Sequence, residues 1–342
     1  MRVLLASNHR YPAERGDGAG LEVMTNPSGA PQRVHDLIAR GLAELGHQVF
    51  YLLEGVDAPL PEGVAWVADS RSAPEVDVLH NLEAADRPWI KTQHSAWCPG
   101  GTAPANWVFV SRTVARSRGS DRWVLNGLDP ADCVFSEAKD GYFLFLAAMQ
   151  GPTHARKYYD KGLDVALGLA REHGLELRVA GTAREPGVRD LVAALCRENG
   201  ATYLGDVRGA RKAELLAGAR ALIFPTRLPE GCPLAILESL LSGTPVLAAD
   251  VGVCRELVTA DCGCLFAGRE DFRRALERLP SISPRACRER ALAAFHYRRM
   301  AAGYVREYEK EIRRRDGGKG ALYEAVRDVM RKVAGQISYR TH

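Results

Sequence analysis

Two glutamates separated by seven residues, Glu230 and Glu238, are the side chains in this sequence best placed to do chemistry. Glu238 is the only acidic or basic residue in the run from 231 to 249. Pro233 suits the start of a helix and Gly243 suits the residue just past its end, so the sequence predicts a mostly buried helix between them. A carboxylate in such a helix costs roughly several kcal/mol unless a partner donates hydrogen bonds to it.

The partner of Glu238 has two interpretations. In one, Glu238 pairs with a structural arginine and Glu230 is a solvated loop residue. In the other, both acids face a ligand. Apolar segments at 221–226 and 244–250 flank the helix and predict a βαβ unit, and ligands of parallel sheets bind beyond the carboxyl ends of the strands, where Glu230 would lie. We therefore expect ligand hydroxyl groups, rather than a cation of the protein, to satisfy Glu238.

The same segment resembles the glutamate-x7-glutamate signature of retaining glycosyltransferases of family four. The matching residues are Glu230-Gly231-Cys232-Pro233-Leu234, Leu237-Glu238, Ser242-Gly243-Thr244-Pro245-Val246 and Arg255-Glu256-Leu257-Val258. The resemblance implies an α/β protein of the GT-B fold, in which two Rossmann-like doubly wound domains face a cleft. It also implies that Glu238 binds the ribose of a nucleotide sugar, that Glu230 lies against the donor sugar, and that residues 231–234 line the same site.

A nucleotide sugar carries two negative phosphates, and metal ions, cationic side chains or helix N-termini must balance their charge. The sequence contains no Asp-x-Asp pair of the kind that holds a metal in many glycosyltransferases, so we expect no metal site. Lys161 matches the family's Lys-Gly at the start of a helix and is our candidate for the diphosphate. The family's preceding arginine is replaced by Ala148. We expect Arg156, or with less support Lys157, to supply the missing charge.

Residues of the amino-terminal half complete the expected site. Gly29 and Ala30 open a helix whose backbone N–H groups could face the phosphates, since small residues allow close approach. Ala30 replaces a glycine that is common in the family. His94 ends an apolar strand and matches a family histidine near the donor sugar; without that match, a core histidine is an equal alternative. His9 and the loop 11–28 lie where an acceptor would bind.

Strand-like and helix-like segments alternate along the chain, which predicts parallel sheets with helices on both faces. One series runs through 2–118 and a second through 142–250, with turn-forming residues between them. The predicted divisions are an acceptor domain, a donor domain and a helical segment, at 1–138, 139–294 and 295–342. Phe295, Met300 and Tyr304 match the spacing of the family's late helix, which implies that the last segment returns to the first domain.

Composition and charge limit the class of protein. A chain of 342 residues suits two domains of about 150 residues each. Neither a membrane-spanning run nor a signal peptide is recognisable, so we expect a cytoplasmic protein whose 8 cysteines are reduced. Residues 285–342 carry 15 Lys or Arg against 7 Asp or Glu. We interpret this basic end as a solvated helical face rather than a surface for anionic membranes or nucleic acid, because acids are interleaved with its bases.

The resemblance implies retaining transfer of a sugar from a nucleotide-diphosphate donor to an acceptor hydroxyl. We expect a UDP-sugar, because a carboxylate pairs well with a 2′,3′-diol. Neither glutamate is identifiable as a covalent nucleophile, so we hypothesise a front-face substitution without metal or prosthetic group. The alternatives are a nucleotide-sugar epimerase, a phosphorylase, or a non-catalytic sugar-nucleotide-binding partner subunit. A nicotinamide dehydrogenase is disfavoured, since no Gly-x-Gly-x-x-Gly follows the first strand. The Arg- and Ala-rich composition is similar to that of actinobacterial antibiotic-pathway transferases, such as those of avilamycin.

Overall fold

The first half of the chain forms a parallel sheet. The computed structural model of the protein describes residues 1–12, 30–96, 102–149, 161–183 and 187–338, with the backbone alone at residue 30 and from residue 318 onward. The strands of this half are β1 (Arg2–Ala6), β2 (Arg10–Tyr11), β3 (Gln48–Leu52), β4 (Gly55–Val56), β5 (Val64–Val67), β6 (Val78–His80), β7 (Trp89–Gln93) and β8 (Trp107–Phe109). Six of them pair in the order β5-β3-β1-β6-β7-β8, and β2 pairs with β4. Central strands such as β1 are apolar on both faces because helices or loops cover both sides.

The second half repeats this architecture. Its strands are β9 (Phe143–Leu146), β10 (Leu177–Ala180), β11 (Thr202–Tyr203), β12 (Ala221–Phe224), β13 (Val246–Ala249) and β14 (Gly263–Phe266). They pair in parallel in the order β11-β10-β9-β12-β13-β14. In both sheets the order of pairing reverses beside the first strand, and such switch points create a crevice at the carboxyl ends of the strands.

Helices connect the strands and close the chain. They are α1 (Ala30–Glu44), α2 (Arg112–Ser117), α3 (Leu163–Glu172), α4 (Val188–Glu198), α5 (Gly209–Gly218), α6 (Leu234–Leu241), α7 (Cys254–Leu257), α8 (Arg269–Arg278), α9 (Pro284–Phe295) and α10 (Tyr297–Ser338). The predicted helix between Pro233 and Gly243 is α6. Pro233 is its N-cap rather than its first residue, with a ψ of 118° outside the helical range, and Gly243 follows its end with a φ of 73°.

The last helix returns to the first domain, as the sequence predicts. A Cβ added at Gly41 of α1 would lie 2.7 Å from the Cβ of Ala301 in α10, so the two helices cross in close contact. Buried Arg122 of the first domain pairs with Glu307 at 2.7 Å and with Glu311 at 2.9 Å. These contacts satisfy acids that would otherwise destabilise a buried helix face.

The two predicted series, 2–118 and 142–250, correspond to the two sheets with their helices. The elements that were not predicted are β2, β4, β5, β14, α7, α8 and α9. The division at residues 138 and 294 stays a prediction; both positions lie outside the two sheets. Within the described residues, none of the helices combines the length and the apolar character needed to span a bilayer.

Candidate functional site

A cavity of about 300 Å³ opens where the carboxyl ends of the two sheets face each other. Pro31, His94 and Asn126 line it from the first half of the chain, and Lys161 with residues 230–235 line it from the second half. The site therefore depends on both domains. A cleft of this kind, with a few converging polar groups, is the usual setting of a small-molecule site.

Glu230 projects from the loop between β12 and α6 and forms an ion pair with Lys161 at 2.5 Å. The hydroxyl of Thr226 also donates to Glu230, at 3.2 Å. Gly162, next to Lys161, makes this approach possible: its φ is +81°, and an added Cβ would lie 2.1 Å from the carbonyl oxygen of Pro225. Only a glycine lets the start of α3 meet the loop that carries the acid. The two residues predicted for the sugar and the diphosphate are thus neighbours.

Glu238 lies in α6 and is 5% exposed. Arg33 of α1 reaches it across the cleft at 2.5 Å, and Lys212 of α5 reaches it at 2.8 Å. Burial by itself would raise the pKa of Glu238, but Lys212 and Arg33 outweigh that effect and hold the pKa below its ordinary value. The expectation that no protein cation satisfies this acid is therefore wrong, because two of them do.

The position of Glu238 still connects it to the cleft. Leu234 and Ala235, one helical turn earlier, line the cavity. Arg33 comes from the opposite domain and also contacts Asp132 at 3.2 Å. Glu238 is thus an interdomain ion-pair residue at the edge of the cavity, rather than an acid enclosed within one domain.

The loop ahead of α6 touches the first domain directly. An added Cβ at Gly231 would lie 2.2 Å from the carbonyl oxygen of His94, so this position accepts only glycine. The side-chain amide of Asn126 donates to the carbonyl oxygen of Cys232 at 3.1 Å. The Oδ1 atom of Asn126 is buried and has no hydrogen-bond partner among the described residues. The loop ahead of α6 is thus held against the first domain by the close contact at Gly231 and the hydrogen bond at Cys232.

His94 is neutral at physiological pH. Burial lowers its pKa to about 4. Its Nε2 atom lies 2.9 Å from Nε2 of His35. His94 therefore lines the cavity as an uncharged polar group, beside the charged Glu230 and Lys161.

Comparisons with known proteins agree with this arrangement. Residues 142–281 match the family model described as Glycosyl transferases group 1. This match covers the second sheet and its helices, including both glutamates. Over 113 residues, 30% of this chain, the sequence is 35% identical to an MMP alpha-(1->4)-mannosyltransferase of Mycolicibacterium hassiacum. The match spans only 27% of that enzyme's length.

Solved structures extend the likeness to the whole chain. AviGT4, a glycosyltransferase involved in avilamycin A biosynthesis, superposes with a TM-score of 0.70 at 24% identity, over 91% of this chain and 98% of that chain. Anabaena Alr3699/HepE in complex with UDP superposes with a TM-score of 0.64 at 14% identity, over 91% and 100%. The chain has the GT-B fold.

Several predicted site residues of this GT-B chain do not enter the described cavity. Gly29 and Arg156 lie outside the described residues. Ala30 is the first residue of α1, and its neighbour Pro31 lines the cavity, so this helix begins at the site. Ala148, where the resemblance implies an arginine, lines the cavity. Cys232, Pro233 and Leu234 line it as well, whereas Glu238 lies just beyond them.

The sequence prediction missed Arg33 and Lys212, the two cations on Glu238. Arg33 lies three residues after Ala30, in the first turn of a helix already assigned to the site, and that spacing was the available signal. Lys212 gave no local signal, because its contact with Glu238 depends on how α5 packs beside α6. Asn126, which also lines the cavity, was not among the predicted site residues.

A second cavity of about 310 Å³ lies at the outer edge of the second sheet. Its lining includes Thr259, Cys264, Arg274 and Arg278, and it lies on β14, away from both glutamates. The two cavities have similar volumes, so size does not distinguish them. The cleft differs in being lined by both domains and in holding a histidine beside its acid and cation.

Proposed function

We propose that the protein transfers a sugar from a nucleotide-diphosphate donor to the hydroxyl group of an acceptor. The convergence of Glu230, Lys161 and His94 on one interdomain cavity carries this proposal. The family match of residues 142–281 supports it, because that match includes the acid and the lysine. Lys161 would bind the phosphates of the ligand, and Glu230 would bind the sugar hydroxyls of the same ligand.

We further propose that Glu238 binds the ribose and that the nucleotide is UDP. Within the described part of the chain, both ion pairs of Glu238 are made through Oε1. A carboxylate offers about four lone-pair positions, so Oε2 can still accept from a diol. Arg33 and Lys212 then hold the acid charged and in place for the ribose. The solved complexes of Alr3699/HepE with UDP and with UDP-glucose support the choice of nucleotide.

Retention of anomeric configuration and independence from metal complete the proposal. The acceptor oxygen bonds to the anomeric carbon on the face from which the diphosphate departs, and the acceptor's proton passes to the departing phosphate oxygen. Lys161 stabilises the negative charge that develops on that phosphate, and Glu230 positions the sugar. With Ala148 at the place of the family's arginine, we assign the second cation to Arg156, as the sequence predicts.

The acceptor and the location of the enzyme are also proposals. A small saccharide or natural-product hydroxyl is supported by the likeness to AviGT4. The basic end of the chain pairs internally at several places, for example Lys310 with Glu307 and Arg314 with Glu311, which favours a solvated face over a membrane or nucleic-acid surface. A small acceptor and a solvated basic face are both consistent with an enzyme that acts in the cytoplasm.

Thermal melting with a panel of UDP, ADP, GDP and dTDP tests the nucleotide assignment. A ligand at 100 times its Kd stabilises the folded protein by about 2.7 kcal/mol. We expect UDP to give the largest shift. Equal shifts, or none, would contradict the assignment.

Glu230→Gln tests the reaction itself. It keeps the shape of the side chain but removes the charge, so turnover should fall by about 100-fold or more while UDP affinity stays near that of the wild type. Glu198→Gln, an exposed acid on α4, is the matched control and should leave turnover unchanged. Release of UDP separates transfer from epimerisation, a requirement for inorganic phosphate marks a phosphorylase, and UDP binding without turnover marks a binding subunit.

A further inference from the structure

A chain of hydrogen bonds runs behind His94 into the first domain. His94 Nε2 lies 2.9 Å from His35 Nε2, and His35 Nδ1 lies 2.8 Å from the hydroxyl of Ser7. The same hydroxyl lies 2.9 Å from His9 Nδ1, and His9 Nε2 lies 2.9 Å from the carboxylate of Asp36. The chain thus connects a residue of the cavity to a buried acid.

Asn81 fixes the direction of this chain at its cavity end. The backbone N–H of Thr92 donates to Asn81 Oδ1 at 2.8 Å, and a backbone N–H can only donate. The amide nitrogen of Asn81 therefore faces His35 Nε2, at 3.1 Å. That amide carries hydrogens, so His35 Nε2 must accept. His94 Nε2, which contacts the same atom, must then carry its own hydrogen.

The other end of the chain fits the same direction. The carboxylate of Asp36 accepts from His9 Nε2 and, at 2.8 Å, from the hydroxyl of Tyr51. The Ser7 oxygen lies within hydrogen-bond distance of His35 Nδ1 and can accept its hydrogen. The direction itself is set by Asn81.

The two central rings are neutral, which makes this arrangement unique. Burial lowers the pKa of His35, and the nearby His94, His80 and His9 lower it further. Burial also lowers the pKa of His94. A neutral imidazole has a single N–H. In His94 that hydrogen is on Nε2, so Nδ1 carries the lone pair.

We propose that Asn81 and His35 are positioning residues that hold His94 as the Nε2–H tautomer, so that its Nδ1 accepts a hydrogen bond from a sugar hydroxyl in the cavity. The identity of the ligand rests on the proposed function, whereas the tautomer does not. His94 then acts on the ligand as an acceptor beside the carboxylate of Glu230. A hydroxyl that donates to His94 can at the same time accept from a cation such as Lys161, which orients it fully.

Nitrogen-15 NMR of the intact, ligand-free protein, with nitrogen-15 in the histidine rings, tests the tautomer. We expect His94 to show a protonated Nε2 and an unprotonated Nδ1. Asn81→Asp replaces the amide nitrogen with an oxygen of similar shape, so His35 Nε2 should become a donor and His94 should lose the Nε2–H tautomer. Asn81 has a φ of 61°, a left-handed conformation that aspartate also tolerates, so the backbone should be preserved. Ser7→Ala removes the contact on His35 Nδ1 and should leave the His94 tautomer unchanged, because Asn81 still donates to His35 Nε2.

Thr92→Val is the matched control. It removes a buried hydroxyl that contacts His80 at 2.6 Å and Tyr304 at 2.9 Å, next to the chain but not part of it. It should leave the His94 tautomer unchanged, whatever its effect on stability. A wild-type His94 with its proton on Nδ1, or an Nε2–H tautomer that survives Asn81→Asp, would overturn the inference.

Kinetics connect the tautomer to the ligand. Asn81→Asp should lower kcat about 10-fold or more with the sugar donor, while affinity for free UDP, which lacks the sugar, stays within about two-fold of the wild type. If the His94 tautomer changes but kcat does not, the proposed hydrogen bond from a sugar hydroxyl to His94 Nδ1 is wrong. Failure of the proposed function is a different result, namely no UDP binding and no transfer by a protein whose His94 tautomer is as expected.

Discussion

The two walls of the cleft handle buried polar groups in different ways. The first-domain wall is a network of uncharged groups, in which His94, His35 and Ser7 bond to one another. The second-domain wall holds two carboxylates, Glu230 and Glu238, and each is paired with cations. A neutral network is directional and depends on where each proton lies, whereas an ion pair depends mainly on charge balance and distance. We therefore expect different substitutions and pH ranges to destabilise the two walls.

The largest effect should come from removing both cations that pair with Glu238 of the charged wall. Arg33→Met with Lys212→Met leaves Glu238 buried and unpaired, and we expect a loss of ~3–5 kcal/mol in the free energy of unfolding. Either single substitution should cost less, because the other cation remains. Urea unfolding measures this. Arg71→Met, which removes an exposed pair with Asp69, is the control and should cost less than about 1 kcal/mol. A double variant as stable as the control would show that the acid does not need its cations.

Mild acid should affect the neutral wall first. The folded-state pKa of His94 is about 4, below the ordinary histidine value, so the unfolded chain takes up the proton first and stability falls as the pH drops from about 6.5 towards 4. The loss from this group is at most about 1.4 kcal/mol per pH unit. His94→Gln should remove that part of the slope. An unchanged slope in unfolding measurements from pH 7 to 4 would exclude a neutral buried His94.

The charged wall responds at lower pH. The pKa of Glu238 is lowered in the folded state by Lys212 and Arg33 against the effect of burial, so its stabilisation is present above the ordinary carboxylate pKa of about 4.3. It is lost as the pH falls through the folded-state pKa. Glu238→Gln should therefore alter the stability profile below pH ~4.3 and leave the slope between pH 7 and 5 unchanged. A change in the upper range would contradict the assignment of the two walls.

Gly231→Ala should separate the walls. The added Cβ would overlap the carbonyl oxygen of His94, so the domains must move apart or the loop must shift. Overpacking of this kind costs about 1–3 kcal/mol, and transfer activity should fall because both walls act on one ligand. Gly141→Ala, where an added Cβ meets nothing within 4 Å, is the control. Equal activity of the two variants would show that the contact is dispensable.

The smallest effect should come from Glu256, which joins the domains away from the cavity. Its carboxylate accepts from the backbone N–H of Arg112 at 3.1 Å and of Thr113 at 2.8 Å, at the start of α2. Glu256→Ala should cost about 1 kcal/mol, as loss of a helix cap does, and should leave the walls themselves unchanged. Thermal melting measures the cost, and a loss of UDP affinity would show that this contact also shapes the site.

Much of the second wall could be predicted from the sequence because its signals are local. The seven-residue spacing, the apolar run around Glu238 and the terminal Pro233 and Gly243 located α6 to within one residue. The first wall gave weaker signals. His35 lies on the inner face of a long amphipathic helix and Asn81 follows a short strand, and neither position differs in sequence from an ordinary core or turn residue.

The sequence by itself determined the two parallel sheets and the buried helix with its acid, because hydrophobic periodicity and turn chemistry act over a few residues. The return of the last helix was implied by the family resemblance. Only the tertiary structure decided what satisfies the acid. Arg33 and Glu238 are separated by 205 positions, and His35 and His94 by 59. Hydrogen bonds and ion pairs over such separations depend on the packing of whole domains, and a local pattern holds no information on which donor meets which acceptor.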